Sequence, residues 1–204
     1  MHNNLLISFV RNPELGKVKT RLAKKIGAVN ALEVYNDLLE HTKSTMLATN
    51  CQKAVFYSEH VAKNDMWSGG EFLRFTQCGG HLGERMSHAF QTGFNLGFDS
   101  VILIGSDLAT INKTHIEQAL GRLKRCHAVL GPAEDGGYYL IGMNRFHQEF
   151  FYNKAWGTDT VLNDTLKDTS HLKIDLLEPL NDVDTFEDLQ GLKQFKTLFD
   201  EYKR

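Results

Sequence analysis

Short runs of consecutive apolar residues alternate along this chain with longer stretches whose apolar positions recur every three or four residues. The first run, Leu5 to Val10, is continuous and stops at loop residues, which predicts a buried parallel strand. Val18 to Ile26 reads as a helix. Ala31 to Leu47 carries Leu32, Tyr35, Leu38, Leu39, Thr42 and Met46 on one stripe, which predicts another. Ala54 to Tyr57 and, after a Gly-Gly turn, Phe72 to Thr76 predict strands. Leu82 to Leu96 reads as a helix opened by Cys78-Gly79-Gly80. Val101 to Ile104 is the clearest strand, wholly apolar and stopped at Gly105. A helix follows over Ile116 to Leu123, with capping-box spacing from Thr114 to Glu117. Ala128 to Leu130 and Tyr138 to Met143 predict two strands around a Gly-rich turn. Thr158 to Lys167 predicts a short helix and Leu172 to Leu177 a strand. A last helix begins near Thr185, where Thr185 and Asp188 again have capping-box spacing.

Strands alternating with helices predict an α/β layered fold with a mainly parallel sheet. No linker composition, internal repeat or low-complexity segment marks a boundary, so residues 1–204 read as a single domain. In such sheets ligands bind outside the carboxyl ends of the strands. The residues that follow each strand are therefore the candidates for chemistry.

Composition narrows the classes. A chain of 204 residues with 42% hydrophobic and 24% charged residues buries enough surface to fold without disulfides or a structural metal. Three scattered cysteines, Cys51, Cys78 and Cys126, form neither a disulfide framework nor a zinc cluster and read as reduced thiols in a cytoplasm. The N-terminus lacks the basic region of a signal peptide, and no run has the length of a membrane span. A formal net charge of −2 argues against general nucleic-acid binding but allows a local basic site.

Such a site follows the first strand. Ser8 to Gly27 holds six basic residues, Arg11, Lys17, Lys19, Arg21, Lys24 and Lys25, against the one acid Glu14. If a helix starts near Val18, its free N–H groups face the strand ends, and Lys17 and Arg21 share a face. That is a phosphate cradle; the plainer alternative is a solvated basic helix. Neither a Walker A loop nor a G-x-G-x-x-G fingerprint is present. After the clearest strand, Gly105-Ser106-Asp107 places a carboxylate where Mg²⁺ or Mn²⁺ could bind together with phosphate, or where Asp107 could simply close a turn. From Asp175 to Asp188 the chain holds six acids and no base; Asp182 and Asp184 alternate across an extended segment, and Asp188 has the position of a cap. The turn Asp135-Gly136-Gly137 can bring backbone close to a ligand or form a plain hairpin loop, and only one of Tyr138 and Tyr139 can face a site. Arg85 near a helix start can reach phosphate or a base edge. Cys78 and His81 lack a third orienting group, which argues against a nucleophile–base pair.

Five segments occur in order: R-x-P-x-x-G-x-V-K-T-R-L-A, G-x-x-L-G-E-R-M, I-G-S-D, G-P-A-E-D-G-G-Y-Y-L-I-G and D-V-D-T-x-E-D-L. From about Leu5 to Leu192 the chain resembles the bacterial selenodomain-associated transferases, a family placed with the nucleotide-diphospho-sugar transferases of the GT-A fold. The resemblance implies a three-layer α/β/α domain. It implies that Arg11, Lys17, Lys19 and Arg21 form the nucleotide and phosphate loop and that Asp107 and Asp184 hold a divalent metal; Gly16, Thr20, Arg85, Ser106, Gly136 and Gly137 are the further candidates for nucleotide and phosphate. Two positions depart from the family pattern: His81 stands where an Asp is usual, and Ala109 where a Pro is usual two residues after the metal Asp.

The expectation is a metal-dependent glycosyltransferase-like enzyme acting on a nucleotide-diphospho-sugar and a small-molecule acceptor, with Asp135 as base. A nucleotidylyltransferase that releases pyrophosphate uses the same residues and is the alternative; D-V-D-T-x-E-D-L favours it, and the missing Gly-rich loop after the first strand disfavours it. A non-catalytic nucleotide-binding module is a third reading. A haloacid-dehalogenase-like phosphatase is excluded, because its nucleophile follows the first strand and the D-x-D-T string here lies near the C-terminus.

Overall fold

The computed structural model of the chain describes residues 3–203. Strand β1 (Asn4–Val10) leads into α1 (Thr20–Ala48), β2 (Gln52–Tyr57) and β3 (Phe72–Thr76). Then come α2 (Leu82–Asn95), β4 (Ser100–Ile104), α3 (Lys113–Leu123), β5 (Ala128–Pro132) and β6 (Tyr138–Met143). The chain closes with α4 (Val161–Asp168), β7 (Ile174–Leu176) and α5 (Lys196–Tyr202). The strands form a seven-stranded sheet in the order β3-β2-β1-β4-β6-β5-β7. Pairings β1–β2, β1–β4, β2–β3 and β5–β7 are parallel. Only β6 runs against its neighbours, because it returns from β5 as a hairpin.

The central strands are mostly apolar because each of their faces is covered. Leu6 and Val10 of β1 pack with Tyr35, Leu39 and Met46 of α1 and Ile116, Ala119 and Leu123 of α3. Leu5 and Ile7 point the other way, toward Met86, Ala89 and Phe90 of α2, with Leu162 and Leu166 of α4 on the same side. This is the expected helix–sheet–helix layering; each buried Leu, Ile or Phe contributes about 1.5–3 kcal/mol. A third cluster joins Leu22, Val34 and Leu38 of α1 to Ala109, Val183 and Phe186. It fastens the C-terminal segment over the carboxyl ends of β1 and β4. Among the described residues no helix is long and apolar enough to cross a membrane.

Several boundaries differ from expectation, each for a local reason. The first helix begins at Thr20, not Val18, and its two expected parts run on across a break at Gly27, whose φ of 82° suits only glycine. Helix α3 begins at Lys113, because Asn112 accepts from Thr114 N–H and His115 reaches back to Asn112 N–H; the expected Thr114–Glu117 box is not formed. No helix starts at Thr185. Short 3-10 turns at Glu187–Leu189 and Lys193–Phe195 flank Gly191, whose φ is 82°, and α5 follows only at Lys196. Strand β7 is shorter than the expected Leu172 to Leu177.

Candidate functional site

Strands β1 and β4 lie side by side in parallel register, Ser8 opposite Ile104, and the chain turns to opposite sides of β1 to reach β2 and β4. Their carboxyl ends therefore open a crevice at a topological switch point. Arg11 follows β1 and Gly105-Ser106-Asp107 follows β4. Tyr35 of α1 joins the two loops: its hydroxyl accepts from Arg11 N–H at 2.8 Å, donates to Arg11 O at 3.2 Å and lies 3.4 Å from Ser106 Oγ. Burial, with the Asp107 charge added, pushes the Tyr35 phenol up to about 12, so it stays neutral. Sequence reasoning placed Tyr35 in the core stripe and missed this role. The available signal was its hydroxyl, since a buried Tyr tip needs a polar partner.

Lys19 sits at the N-cap of α1 with φ 47° and ψ 44°. That left-handed conformation costs a non-glycine residue about 1 kcal/mol or more. It carries the ammonium inward, to 2.9 Å from Asp107 Oδ2 and 3.0 Å from Asp184 Oδ1, with the side chain only 3% exposed. Asp184 Oδ2 is 3.8 Å from the exposed Arg21. The C-terminal segment reaches this point through backbone bonds. Leu180 N–H donates to Pro132 O at 3.1 Å and Val183 N–H to Asp107 O at 2.9 Å. Asp188 accepts from Asp184 N–H and Thr185 N–H, and so caps the turn as its position predicts.

Alternation separates the neighbouring acids. Asp184 meets Lys19, while Asp182 lines a different cavity with Asp135. Burial pushes the Asp182 carboxyl up to about 7, the charges of Asp107, Asp135 and Asp184 act in the same direction, and Lys19 opposes them. Among the described residues the Asp182 carboxyl group forms no hydrogen bond.

Three cavities meet around these loops. One of about 680 Å³ is lined by Arg11, Lys17, Ser58, Gln77, Arg85 and Asp107, among others. One of about 320 Å³ contains Arg11, Lys19, Thr20, Arg21, Tyr35 and Asp184, and shares Arg11 and Asp107 with the first. The third, about 190 Å³, contains Leu82, Met86, Tyr138, Trp156, Asp135 and Asp182, and shares Leu82 with the first.

The structure thus brings Lys19, Asp107 and Asp184 together and sets Arg11, Thr20, Arg21, Arg85 and Ser106 around them. Lys17 and Arg21 do not share a helix face, because Lys17 precedes the helix. It pairs with Glu14 at 2.7 Å, which raises the lysine and lowers the glutamate. The segment Thr20 to Ile26 is only about two turns long before the break, so its end adds little dipole. Gly16 lies in an exposed turn with φ 77°. Arg85 Nε donates to Gly79 O at 3.1 Å. Gly136 and Gly137 lie with Asp135 beside the third cavity rather than on the basic loop. Gly136, at φ 88°, makes its close approach to the chain's own Asp159, where an added Cβ would sit 2.2 Å from the carbonyl oxygen. Gly137 N–H donates to Asp135 Oδ1 at 2.9 Å.

His81 performs the N-cap work for which an Asp is also suited. Its Nδ1 accepts from Glu84 N–H at 3.3 Å, and Glu84 accepts from Gly80 N–H. No described bond joins His81 to Cys78. Ala109 is buried in the cluster that anchors Val183.

The donor set can be tested for a metal. Among the described residues no three Asp, Glu, His or Cys side chains form a ready-made cage. Asp107 and Asp184 instead grip one cation, the Lys19 ammonium, which shows that their spacing accommodates a positive charge. Mg²⁺ commonly takes one or two carboxylates and fills its remaining positions with phosphate and water. The pair fits that kind of ion rather than one held by protein alone.

The model of a family described as "Uncharacterized protein conserved in bacteria (DUF2064)" matches residues 41–158. The chain belongs to this family. No curated protein matches the DUF2064 chain. Among solved structures it is similar to a Desulfovibrio desulfuricans G20 protein described as a "putative nucleotide-diphospho-sugar transferase", at 30% identity and TM-score 0.90 over 99% of both chains. It also shares its fold with the inositol-1-phosphate CTP transferase from T. maritima, at 12% identity and TM-score 0.60 over 100% of this chain and 98% of that one. CMP:2-keto-3-deoxy-manno-octonic acid synthetase shares the fold as well, at 10% identity and TM-score 0.58 over 96% and 99%.

Proposed function

We propose that this DUF2064 protein is a metal-dependent transferase that moves a sugar from a nucleotide-diphospho-sugar to a small acceptor. The observation that carries the reading is the Lys19 ammonium clasped between Asp107 and Asp184, beside two cavities that hold Arg11, Lys17, Arg21 and Arg85. Two carboxylates spaced for one cation, within a rim of guanidinium and ammonium groups, are the charge pattern that a cation-bound diphosphate requires. Asp107 and Asp184 would hold Mg²⁺ or Mn²⁺, which would supply charge stabilisation for a leaving diphosphate.

Arg11 and Arg85 are placed to bind phosphate oxygens, and Lys19, Thr20 and Arg21 line the same path. Tyr35 and Ser106 hold the two loops in register, so they position Arg11 and Asp107. On the other side Asp135 and Asp182 face the acceptor and take its proton. Asp182 has both oxygens free of hydrogen bonds, whereas Gly137 N–H holds one oxygen of Asp135. The motif resemblance to selenodomain-associated transferases and the description of the D. desulfuricans relative support the donor class.

The test is product analysis by ³¹P NMR after incubation with Mg²⁺ and a panel of nucleotide-diphospho-sugars or nucleoside triphosphates. Release of a nucleoside diphosphate from one nucleotide-sugar, lost in Asp107→Asn, is the expected result. Pyrophosphate released from a triphosphate in the presence of a phosphorylated sugar would replace the reading with nucleotidylyl transfer.

A further inference from the structure

We propose that the 190 Å³ cavity is the acceptor pocket and that it takes a small molecule carrying a free hydroxyl or amino group and no phosphate. The reaction it serves rests on the transfer reading above; the selection by charge stands on the cavity alone. Leu82, Met86, Tyr138 and Trp156 supply apolar wall, and Asp135 and Asp182 supply the charge. No Lys, Arg or His is among its described lining residues. The larger cavity across Leu82 is lined by Arg11, Lys17 and Arg85, so opposite charges line the two sides of one crevice.

The wall is built rather than incidental. Tyr138 and Trp156 meet edge to face with centroids 6.3 Å apart. Leu162 N–H donates to Gly136 O at 2.9 Å, and the bare Cα of Gly136 lets Asp159 close against the hairpin, which fixes the segment carrying Trp156, Gly157 and Thr158. The enclosed volume equals that of roughly six liquid waters, which suits a small polyol or amino alcohol. An indole face receives C–H groups or an ammonium, and carboxylates accept hydrogen bonds from hydroxyl or amino donors. A phosphate dianion finds no Lys, Arg or His in this lining and meets the Asp135 carboxylate.

In the step itself the acceptor oxygen or nitrogen attacks the anomeric carbon. The bond from that carbon to the diphosphate oxygen breaks, its electron pair leaves with the diphosphate, and the acceptor proton passes to a carboxylate of the Asp135–Asp182 pair. Atoms and charge balance with no further reactant.

Trp156 reports on the pocket directly, because the other tryptophan, Trp67, is buried at 2% exposure. The experiment is collisional quenching of tryptophan fluorescence by caesium and by iodide, each normalised to free N-acetyltryptophanamide. Caesium is expected to quench at least about twofold better than iodide, and Asp135→Asn with Asp182→Asn is expected to erase the difference. Equal or stronger quenching by iodide in the native protein would overturn the proposal, whether or not a nucleotide-sugar is turned over. The second measurement uses matched acceptors, glycerol against glycerol 3-phosphate and ethanolamine against phosphoethanolamine, as competitors for caesium quenching. Protection by the free compounds supports the class, and protection by the phosphate esters alone overturns it. If the quenching pattern holds but no nucleotide-sugar reacts, the transfer reading falls while the pocket's selectivity stands.

Discussion

The basic side of the crevice is wide and lined by cationic side chains; the acidic side is small and carries carboxyl groups. Arg11, Lys17 and Arg85 line about 680 Å³ on one side, and Asp135, Asp182 and Trp156 line about 190 Å³ on the other. Between them Asp107 and Asp184 hold the Lys19 ammonium. The two sides also differ in construction. The basic side hangs on a loop whose key residue, Lys19, has a strained backbone, and the acidic side is braced by a hairpin and an aromatic wall. The difference teaches that direction is written in charge. A polyanion is drawn to one side and repelled from the other, so in the proposed transfer the donor's orientation is set before it is contacted in detail.

The sharpest way to break this comparison is to remove a carboxylate from each side. Asp107→Asn is expected to lower turnover by about 10²–10³-fold and to weaken metal-dependent nucleotide binding as well. Asp182→Asn is expected to lower turnover by about 10²-fold and leave nucleotide affinity unchanged. Steady-state kinetics with separate nucleotide titrations distinguishes them, and equal effects on binding would dissolve the two-sided account. Next in size is Gly136→Ala, which forces a side chain into a left-handed residue pressed against Asp159. It should destabilise the acceptor side by about 3 kcal/mol, read by denaturant unfolding.

Smaller again is the pH response of Asp182. Its pKa rises from 3.8 to about 7 on folding, so the folded state binds the extra proton. The stability it confers is present at acid pH and lost as the pH climbs from about 4 through 7. Asp182→Asn should therefore raise Tm at pH 8 relative to the native chain, by the equivalent of roughly 1–2 kcal/mol, and leave it little changed at pH 4. The smallest effect is expected for His81→Asp, which keeps the cap on α2 and adds a charge favourable at a helix start. A gain of about 0.5 kcal/mol in thermal unfolding would agree, and a loss would show that His81 does more than cap.

The layered fold was legible because β1 and β4 are buried on both faces and therefore read as almost wholly apolar runs, broken in β1 only by the buried Ser8, while the stripe from Leu32 to Met46 keeps helical spacing. That Asp107 and Asp184 meet in one crevice was expected from the carboxyl end of β4 and from the D-V-D-T-x-E-D-L resemblance. What the sequence did not show is what Lys19 touches. Its partners lie far along the chain and meet it only through the Val183–Asp107 backbone bond and the cluster around Ala109. Tyr35 was hidden for a similar reason, since a core stripe does not say where an aromatic tip ends. The division between Asp182 and Asp184 was half legible. Strand-like alternation sends them opposite ways, but only the fold decides that one meets Lys19 and the other joins Asp135. The boundaries near Thr114 and Thr185 were missed because an earlier Asn and a later Gly govern those ends.

The most direct test of the central claim, that Asp107 and Asp184 with the basic loop form a metal–diphosphate site, is a thermal-shift panel with Mg²⁺ or Mn²⁺. It compares nucleoside diphosphates, triphosphates and nucleotide-diphospho-sugars on the native chain and on Asp107→Ala. A ligand at 100 times its Kd stabilises by about 2.7 kcal/mol, a readily measured rise in Tm. The account predicts shifts with diphosphates and diphospho-sugars that require the metal and vanish in the variant. Shifts that persist without metal, or in Asp107→Ala, would contradict it.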